Sequence, residues 1–345
     1  MRRSSGALVA FLGLAGVAGV VACGGAIAPA AHTPAQARSS SSAVPAAPLR
    51  WTTSLDRDHP LVGKIWSGRA SRFVDEAFLR AALHGYVLLG EKHDNPDHHA
   101  LQARLLQAMV DGGARPVVAF EMFDVDEQPA IDASRREHPR DGRSLARAVS
   151  WEKSGWPPWE QYAPIVQVAL DRDLPLVATG LPRSRMRALM KPAAAPDAGA
   201  EPVEAPIDEG VPLTPAQEAS LRDELRESHC GHLPEAHLGA MIRFQRARDA
   251  SMASALVAAA NAANASDAAL IAGTGHTRRD RGAGADLAAR DPKRAVVSIA
   301  FAEVEAGKNE PTAYASRWNA TVLPFDFVWF TPRANDDDPC AAFAH

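Results

Sequence analysis

The sequence predicts an α/β fold with a mostly parallel central sheet flanked by helices, and three observations support this prediction. Short apolar runs rich in Val, Leu and Ala recur along the chain, and several of them end in glycine. Segments with apolar residues at helical spacing lie between these runs. Two further helical segments follow one another in the middle of the chain, as an insertion. Alternation of strands with helices is typical of parallel sheets built from βαβ units.

The predicted strands cover residues 86–90, 116–120, 174–178, 268–273, 295–300 and 325–330. The predicted helices cover residues 97–110, 159–172, 182–191, 215–229 and 234–261. Each strand is a short run of large aliphatic or aromatic residues, and each helix repeats apolar residues every three or four positions. Thr214 and Pro215 supply an N-cap and a first-turn proline for the fourth helix. These elements fill one domain, which we expect over residues 51–345.

The first crossover helix should begin at Asp97, whose carboxylate can cap free backbone N–H groups. His98 and His99 follow in its first turn. Neighbouring helix positions point about 100° apart, so both imidazoles cannot serve one ligand equally. We therefore expect one of them to be solvated.

The N-terminus reads as an export signal over residues 1–22. Arg2 and Arg3 are basic, and they are followed by an apolar run from Gly6 to Ala22, directly before Cys23. The small and aliphatic residues before the cysteine resemble a lipobox, so we expect cleavage there and acylation of Cys23. An uncleaved membrane anchor is the alternative. Both place the domain outside the cytoplasm, and Gly24 after the cysteine favours the outer membrane.

Residues 23–50 are rich in Ala, Pro and Ser, and they predict a flexible tether between the lipid and the domain. A second segment of this kind, residues 192–213, contains Pro, Ala and acidic residues and predicts a flexible insertion. The formal net charge is −4 at pH 7. We see no basic patch along the chain, and this excludes nucleic acid from the expected partners.

Two cysteines remain once Cys23 is assigned to the lipid. Cys230 and Cys340 commonly pair in an oxidising compartment, so a disulfide is one prediction. The alternative is that Cys230 is a thiolate ligand beside His229 and His232.

Polar residues follow three of the predicted strands directly. Glu91 and His93 come after the first strand, Glu121 after the second, and His276 after the run that ends at Gly273. The carboxyl ends of parallel strands meet at one edge of a sheet, so these four side chains should meet there. Such a set binds a divalent metal or performs acid/base chemistry. The alternative is that these groups only satisfy helix N-termini and loop backbone.

The last predicted helix carries an unusual polar face. Gln245, Arg248, Asp249 and Met252 are spaced three, four and seven positions apart, so they share one side of the helix. A conventional buried face would be apolar. This stripe is expected to face a site or to be ion-paired, with Arg248 bound to Glu121 or to a carboxylate of a ligand.

Several motifs together resemble the ChaN family of iron-regulated, haem-binding lipoproteins. They are LLGEKHDNPDHHALQ (88–102), WEQYAP (159–164), SHCGHLP (228–234), QRARDASMA (245–253), IAGTGHTRRDRG (271–282) and FDFVWFTPRANDDDPC (325–340). They occur in order over most of the predicted domain, and the lipobox agrees with them. The resemblance implies an α/β domain that binds ferric haem between two protomers, with a tyrosinate on the iron and His or Arg near the propionates.

Tyr162 is the residue to which this implied iron ligand would correspond. The chain has three tyrosines: Tyr86 lies inside an apolar strand, and Tyr314 lies outside the motifs. A phenolate favours ferric iron, and the tryptophans near Tyr162 would supply a flat apolar wall. The alternative is that Tyr162 belongs to the core. His229 and His232 form a second candidate pair of haem or metal ligands.

The first functional hypothesis is therefore a membrane-anchored haem-binding lipoprotein that stores or relays haem in iron acquisition. Its partners would be haem, the membrane, a second copy of the chain and an outer-membrane haem receptor. The second is a metal-dependent hydrolase of the kind found in the related TIKI, TraB and erythromycin esterase proteins, using Glu91, His93, Glu121 and His276. A surface interaction protein with a structural polar rim is the third. The chain contains no Gly-x-Ser-x-Gly motif, which argues against acyl-enzyme chemistry.

Overall fold

The computed structural model describes residues 48–182, 184–185, 207–338 and 340–341. The predicted signal, lipidation site Cys23, most of the tether and most of the 192–213 insertion lie outside these residues. So does nearly all of the helix predicted over 182–191. Residues from Leu49 onward form one compact unit.

The described elements alternate along the chain. The strands are β1 Ile65–Ser67, β2 Arg72–Val74, β3 Tyr86–Glu91, β4 Val117–Asp124, β5 Leu176–Gly180, β6 Ala268–Gly273, β7 Val296–Glu303 and β8 Phe327–Thr331. The helices are α1 Glu76–Arg80, α2 Pro96–Asp111, α3 Gln128–Glu137, α4 Gly142–Ala148, α5 Trp159–Asp171, α6 Pro215–Ser228, α7 Glu235–Ala262 and α8 Ala283–Arg290. Short 3₁₀ turns cover Val125–Glu127, Trp151–Lys153 and Pro311–Trp318.

The eight strands form one sheet in the order β2-β1-β8-β7-β3-β6-β4-β5. The six strands β8, β7, β3, β6, β4 and β5 run parallel to one another. At one edge, β1 pairs antiparallel with both β8 and β2. The predicted α/β fold with a mostly parallel sheet is therefore confirmed. The inserted helices α6 and α7 lie between β5 and β6 in the chain.

Helices cover both faces of the sheet, and alternate residues of each strand point to opposite faces. Val87 and Leu89 of β3 pack in a large cluster with residues of α2 and α5. Tyr86 and Leu88 pack on the other face with residues of α7 and α8, including Met252. Strands buried on both faces are continuous apolar runs, and this explains why their positions are visible in the sequence.

Local details correct two expectations about the start of α2. The N-cap is Asn95, whose side chain accepts a hydrogen bond from the backbone N–H of Asp97. The carboxylate of Asp97 instead accepts the backbone N–H groups of Thr52 and Thr53, so it attaches the segment before β1 to the helix. The expectation that a histidine of this turn is solvated was wrong, because His98 and His99 are both fully buried.

His98 links two strand ends through both of its ring nitrogens. Nδ1 accepts the backbone N–H of Lys92 at 2.9 Å, and Nε2 lies 2.9 Å from the hydroxyl of Thr331. Burial, followed by the charge of His99, holds the pKa of His98 well below its usual value. His98 is therefore a neutral structural residue, with Nε2 donating to Thr331.

The sequence did not reveal the hairpin formed by β1 and β2, because each strand has only three residues. The end of the predicted flexible insertion also differs from expectation. Glu209 pairs with Arg243 and Arg246 of α7, and the N–H of Val211 donates to Asp286 of α8. Residues 207–213 are thus held against two helices rather than loose.

Cys230 and Cys340 form a disulfide with their Cα atoms 5.6 Å apart. It links the α6–α7 turn to the C-terminal segment after β8. This bond leaves no thiolate at Cys230 for a metal. Among the described residues, no helix is long and apolar enough to cross a bilayer.

Candidate functional site

The candidate site lies at the carboxyl ends of three adjacent strands, β3, β6 and β4. β6 pairs with β3 on one side and β4 on the other, so Glu91, Gly273 and Glu121 come together. Side chains from α5 and α7 cover this edge from the two faces of the sheet. Loops and helix N-termini meet at such an edge, and this makes it the usual place for ligands in parallel sheets.

Glu91 is the centre of one half of the site. Its Oε1 accepts the hydroxyl of Tyr162 at 2.6 Å and lies 2.8 Å from Nδ1 of His93. Its Oε2 lies 3.7 Å from Nδ1 of His99, and both of these buried atoms lack a hydrogen-bond partner. Burial acts to raise the pKa of Glu91, but the two histidines and Tyr162 outweigh it and lower the pKa. Glu91 is therefore ionised in the fold.

Tyr162 is not placed to bind haem iron. Its side chain is fully buried, and its ring packs against His99 and Trp151 with centroids 4.2 and 5.0 Å away. Burial and the charge of Glu91 raise the pKa of Tyr162 above its usual value of 10.0, so its hydroxyl stays protonated and donates to that carboxylate. The prediction of a Tyr162 phenolate on iron does not fit this structure. The core alternative describes its position.

The other two tyrosines are equally committed to structural contacts. Tyr86 is buried and its hydroxyl donates to Asp291, and burial together with this bond raises its pKa to about 12. Tyr314 is buried, and its hydroxyl accepts the N–H of Glu305 and donates to Lys308. No tyrosine therefore presents a free hydroxyl at the strand ends.

Glu121 is the centre of the other half of the site. Its Oε2 accepts the backbone N–H of Gly273 at 2.7 Å, and its Oε1 is bound by the guanidinium of Arg248. The Nε2 of His276 lies 3.6 Å from the same Oε1. Burial acts to raise the pKa of Glu121, but Arg248, His276 and the other donors lower it to about 2. The expected pairing of Arg248 with Glu121 is present.

Asp249 completes this half from α7. Its carboxylate lies 2.7 Å from Nδ1 of His276, so it orients the imidazole with Nε2 toward Glu121. Asp249 was noticed in the sequence only as part of a polar stripe, and its partner His276 follows a different strand. The arrangement gives each side of the His276 ring a carboxylate, and this fixes the ring.

His93 is the one member of the four strand-end residues with substantial exposure, at 34% of its side chain. Its ring lies 4.8 Å from that of Trp156, and its Nε2 is 3.9 Å from Oε1 of Glu121. A Cβ at Gly273 would lie 2.9 Å from this nitrogen, so glycine is needed there for the close approach. Burial acts to lower the pKa of His93, but Glu121 and Glu91 outweigh it and raise the pKa.

A cleft of about 590 Å³ lies on the other side of Trp156, and His93 contacts this tryptophan without itself lining the cleft. It is lined by apolar, basic and acidic side chains together with loop backbone: Met122, Asp124, Glu127, Val149, Ser150, Lys153, Ser154, Gly155, Trp156, Gly180, Leu181, Phe244 and Arg248. The volume lies within the range of cofactor sites. Trp156 and Arg248 belong both to the cleft wall and to the surroundings of the strand-end cluster.

The residues fit haem better than a bare divalent metal. Trp156, Phe244 and Leu181 offer flat or branched apolar surface, and Lys153 is a cation suited to a carboxylate, whereas Arg248 is already paired with Glu121. The exposed imidazole of His93, held by Glu91, is of the type that binds iron. Among the described residues, no group of three or more His, Cys, Asp or Glu is arranged to hold a metal ion.

His229 and His232 lie elsewhere, at the turn after α6. The Nδ1 of His229 bonds to the carbonyl of Leu225 at 2.8 Å, and His232 is exposed. Neither lines the cleft. The structure therefore does not bring them to Arg248, with which they were grouped as haem-binding residues.

Comparisons with solved structures agree with the fold. The chain is similar to ChaN of Campylobacter jejuni, whose structure is described as showing cofacial haem binding, with 21% identity and a TM-score of 0.57 over 81% of this chain and 98% of that one. It also matches the type III effector HopBA1 (14% identity, TM-score 0.39, 74% of this chain and 91% of that one) and an erythromycin esterase in its open conformation (15%, 0.38, 76% and 81%). The last two likenesses are too distant to support an argument.

The family comparison is more specific. No curated protein sequence matches the chain. Residues 78–287, which include all four strand-end residues, match the model described as haem-binding uptake, Tiki superfamily, ChaN. Since this match covers more than half of the sequence, the chain belongs to the ChaN family of haem-binding uptake proteins.

Proposed function

We propose that this protein is a lipid-anchored, extracytoplasmic protein that binds ferric haem and stores or relays it during iron acquisition. Membership of a haem-binding family supports the haem part of this proposal. The single structural observation that carries it is the cleft whose apolar wall includes Trp156 and Phe244, because Trp156 also packs against the partly exposed imidazole of His93. The signal, the lipobox at Cys23 and the outer-membrane location rest on the sequence.

We assign the iron to His93 in place of Tyr162. The carboxylate of Glu91 is bonded to Nδ1 of His93, so Nε2 is the ring nitrogen that remains for a metal. Histidines that bind metals are commonly oriented by a carboxylate on their other nitrogen. His93 would hold the iron of a bound haem through this nitrogen, and the haem would supply the ferric centre. Lys153 would pair with a propionate, and Trp156 and Phe244 would pack against the porphyrin and exclude water.

Two partners follow from this assignment. The haems of Campylobacter jejuni ChaN are described as cofacial, and we propose that two copies of the present chain also meet through their clefts when haem is bound. An outer-membrane haem receptor is the proposed source or recipient. The hydrolase alternative has less support, because Arg248 already neutralises Glu121 and would repel a divalent cation placed there.

An absorbance titration of the chain from Gly24 with ferric haem tests the proposal. Saturable binding should be lost or weakened by at least about tenfold in His93→Ala, as expected for loss of an iron ligand. The Tyr162→Phe and His229→Ala/His232→Ala variants should keep the parent spectrum. His138→Ala, which removes an exposed histidine, is the matched control.

The pH dependence of binding gives a second readout. Protonated imidazole cannot bind iron, and the pKa of His93 is raised above 6.5. Haem affinity should therefore rise as the pH rises through this pKa, and the step should disappear in His93→Ala. Absence of saturable binding in the parent would disprove the proposed function. Loss of the spectrum in Tyr162→Phe alone would disprove the His93 assignment.

A further inference from the structure

An arginine-rich surface, formed by α3, α4 and the turns around them, is not explained by the haem site. Residues 135–153 contain five arginines and Lys153 against three acidic residues, so this segment carries a net charge of +3. The whole chain carries −4, and the remainder therefore carries −7. This local excess departs from the expectation that the chain carries no basic patch.

These cations are exposed and mostly free of acidic partners. Arg136, Arg140 and Arg143 are exposed, and no salt bridge joins them to a carboxylate within the described part of the chain. Arg135 pairs with Asp173, and Arg147 lies 3.6 Å from Asp141. The basic surface therefore has positive charge that is not paired within the described residues and can bind a partner.

Helix stability does not account for all of these residues. Arg135 and Arg136 lie in the last turn of α3, where positive charge favours the helix dipole. Arg143 lies instead in the first turn of α4, after the N-cap Asp141, where positive charge is unfavourable. Arg140 is in the turn between the helices. Helix stability therefore does not explain Arg140 or Arg143.

A depression lies between these arginines and α5. Its volume is about 460 Å³, and its charged lining consists of Arg140 and Arg143 together with Asp141 and Glu160. The exposed guanidinium groups of Arg136, Arg140 and Arg143 are suited to the phosphate headgroups of a bilayer. The same segment continues through Lys153 into the wall of the haem cleft.

We propose that this surface docks on a bilayer that contains anionic phospholipids. The argument rests on charge complementarity and, in part, on the proposed lipid anchor. The tether predicted over residues 23–50 would have a root-mean-square end-to-end distance of about 30 Å, so the anchored domain would stay close to the membrane. Each basic side chain near an anionic surface then adds to the attraction.

Vesicle sedimentation tests this with the chain that starts at Gly24, which carries no lipid and includes the whole compact unit from Leu49. It should bind phosphatidylcholine vesicles with about one third phosphatidylglycerol and should bind pure phosphatidylcholine at least roughly tenfold more weakly. Binding should be lost at about 0.5 M salt, where screening is strong. Arg136→Glu/Arg140→Glu/Arg143→Glu should abolish it.

The matched control changes net charge equally at other exposed sites, as Arg50→Glu/Arg72→Glu/Lys293→Glu. This variant should keep most of the vesicle binding, and both variants should show the parent circular dichroism and thermal unfolding. Equal loss in the two triple variants, or binding that does not depend on anionic lipid, would overturn the proposal. Haem titration of the same samples is independent, since a chain that fails to bind haem can still bind vesicles.

Discussion

The two halves of the strand-end cluster hold their buried glutamates by different means. Glu121 is paired with the guanidinium of Arg248 and with a backbone N–H. Among the described residues, Glu91 contacts no Lys or Arg and is held by the hydroxyl of Tyr162 and by histidines. Both carboxyls have pKa values below normal, so each half keeps its charge although burial opposes it.

This difference suggests that the two halves have different roles. The Glu121 half is closed by a full counter-charge, and its geometry is fixed from α7 and β6. The Glu91 half contains the exposed His93, and it retains two buried atoms without partners, on Glu91 and His99. Groups that are incompletely satisfied are more readily reorganised by a ligand. We therefore expect the Glu121 half to dominate stability and the Glu91 half to respond to haem.

The largest effect should come from removing the cation of the Glu121 half. Arg248→Met leaves a buried carboxylate without its counter-charge, which costs about 3 to 5 kcal/mol of unfolding free energy. Arg243→Met, on the same helix, removes an exposed pair with Glu209 and should cost less than about 1 kcal/mol. Urea unfolding with the disulfide intact measures both. If Arg248→Met and Arg243→Met both lowered the unfolding free energy by similarly small amounts, the Glu121 half would not be the more stable one.

Much of this arrangement could be predicted from the sequence, for a physical reason. Strands buried on both faces appear as apolar runs, and parallel strands bring their ends together, so the meeting of Glu91, Glu121 and His276 follows from topology. Short edge strands such as β1 give no such signal.

The direction of each side chain could not be predicted in the same way. Tyr162 lies on an amphipathic helix, and only packing decides whether its hydroxyl meets Glu91 or a ligand. Asp249 and His276 are far apart in sequence, and no spacing rule links them. The motif around Asp249 indicated that this residue is important but did not indicate that its partner is His276.

The second effect is the dependence of stability on pH in the Glu121 half. The folded pKa of about 2 lies below the usual 4.5, so the stabilisation is present above pH 4.5 and is lost as the pH falls through 2. Its size is about 3 kcal/mol from the shift in pKa. Glu121→Gln should flatten the stability profile between pH 5 and 2, whereas Glu152→Gln on the exposed surface should not. An unchanged profile in Glu121→Gln would contradict the pairing described above.

The smallest effect concerns the hydroxyl of Tyr162 in the Glu91 half. Tyr162→Phe removes a hydrogen bond to an ionised carboxylate and should lower the unfolding free energy by about 1.5 to 3 kcal/mol. Tyr314→Phe removes bonds to uncharged backbone groups and should cost about 1 kcal/mol. Urea unfolding gives both values, and a haem titration of Tyr162→Phe should reproduce the parent spectrum. A larger cost for Tyr162→Phe than for Arg248→Met would reverse the assignment of stability to the Glu121 half, because the neutral donor would then hold its carboxylate more strongly than the guanidinium does.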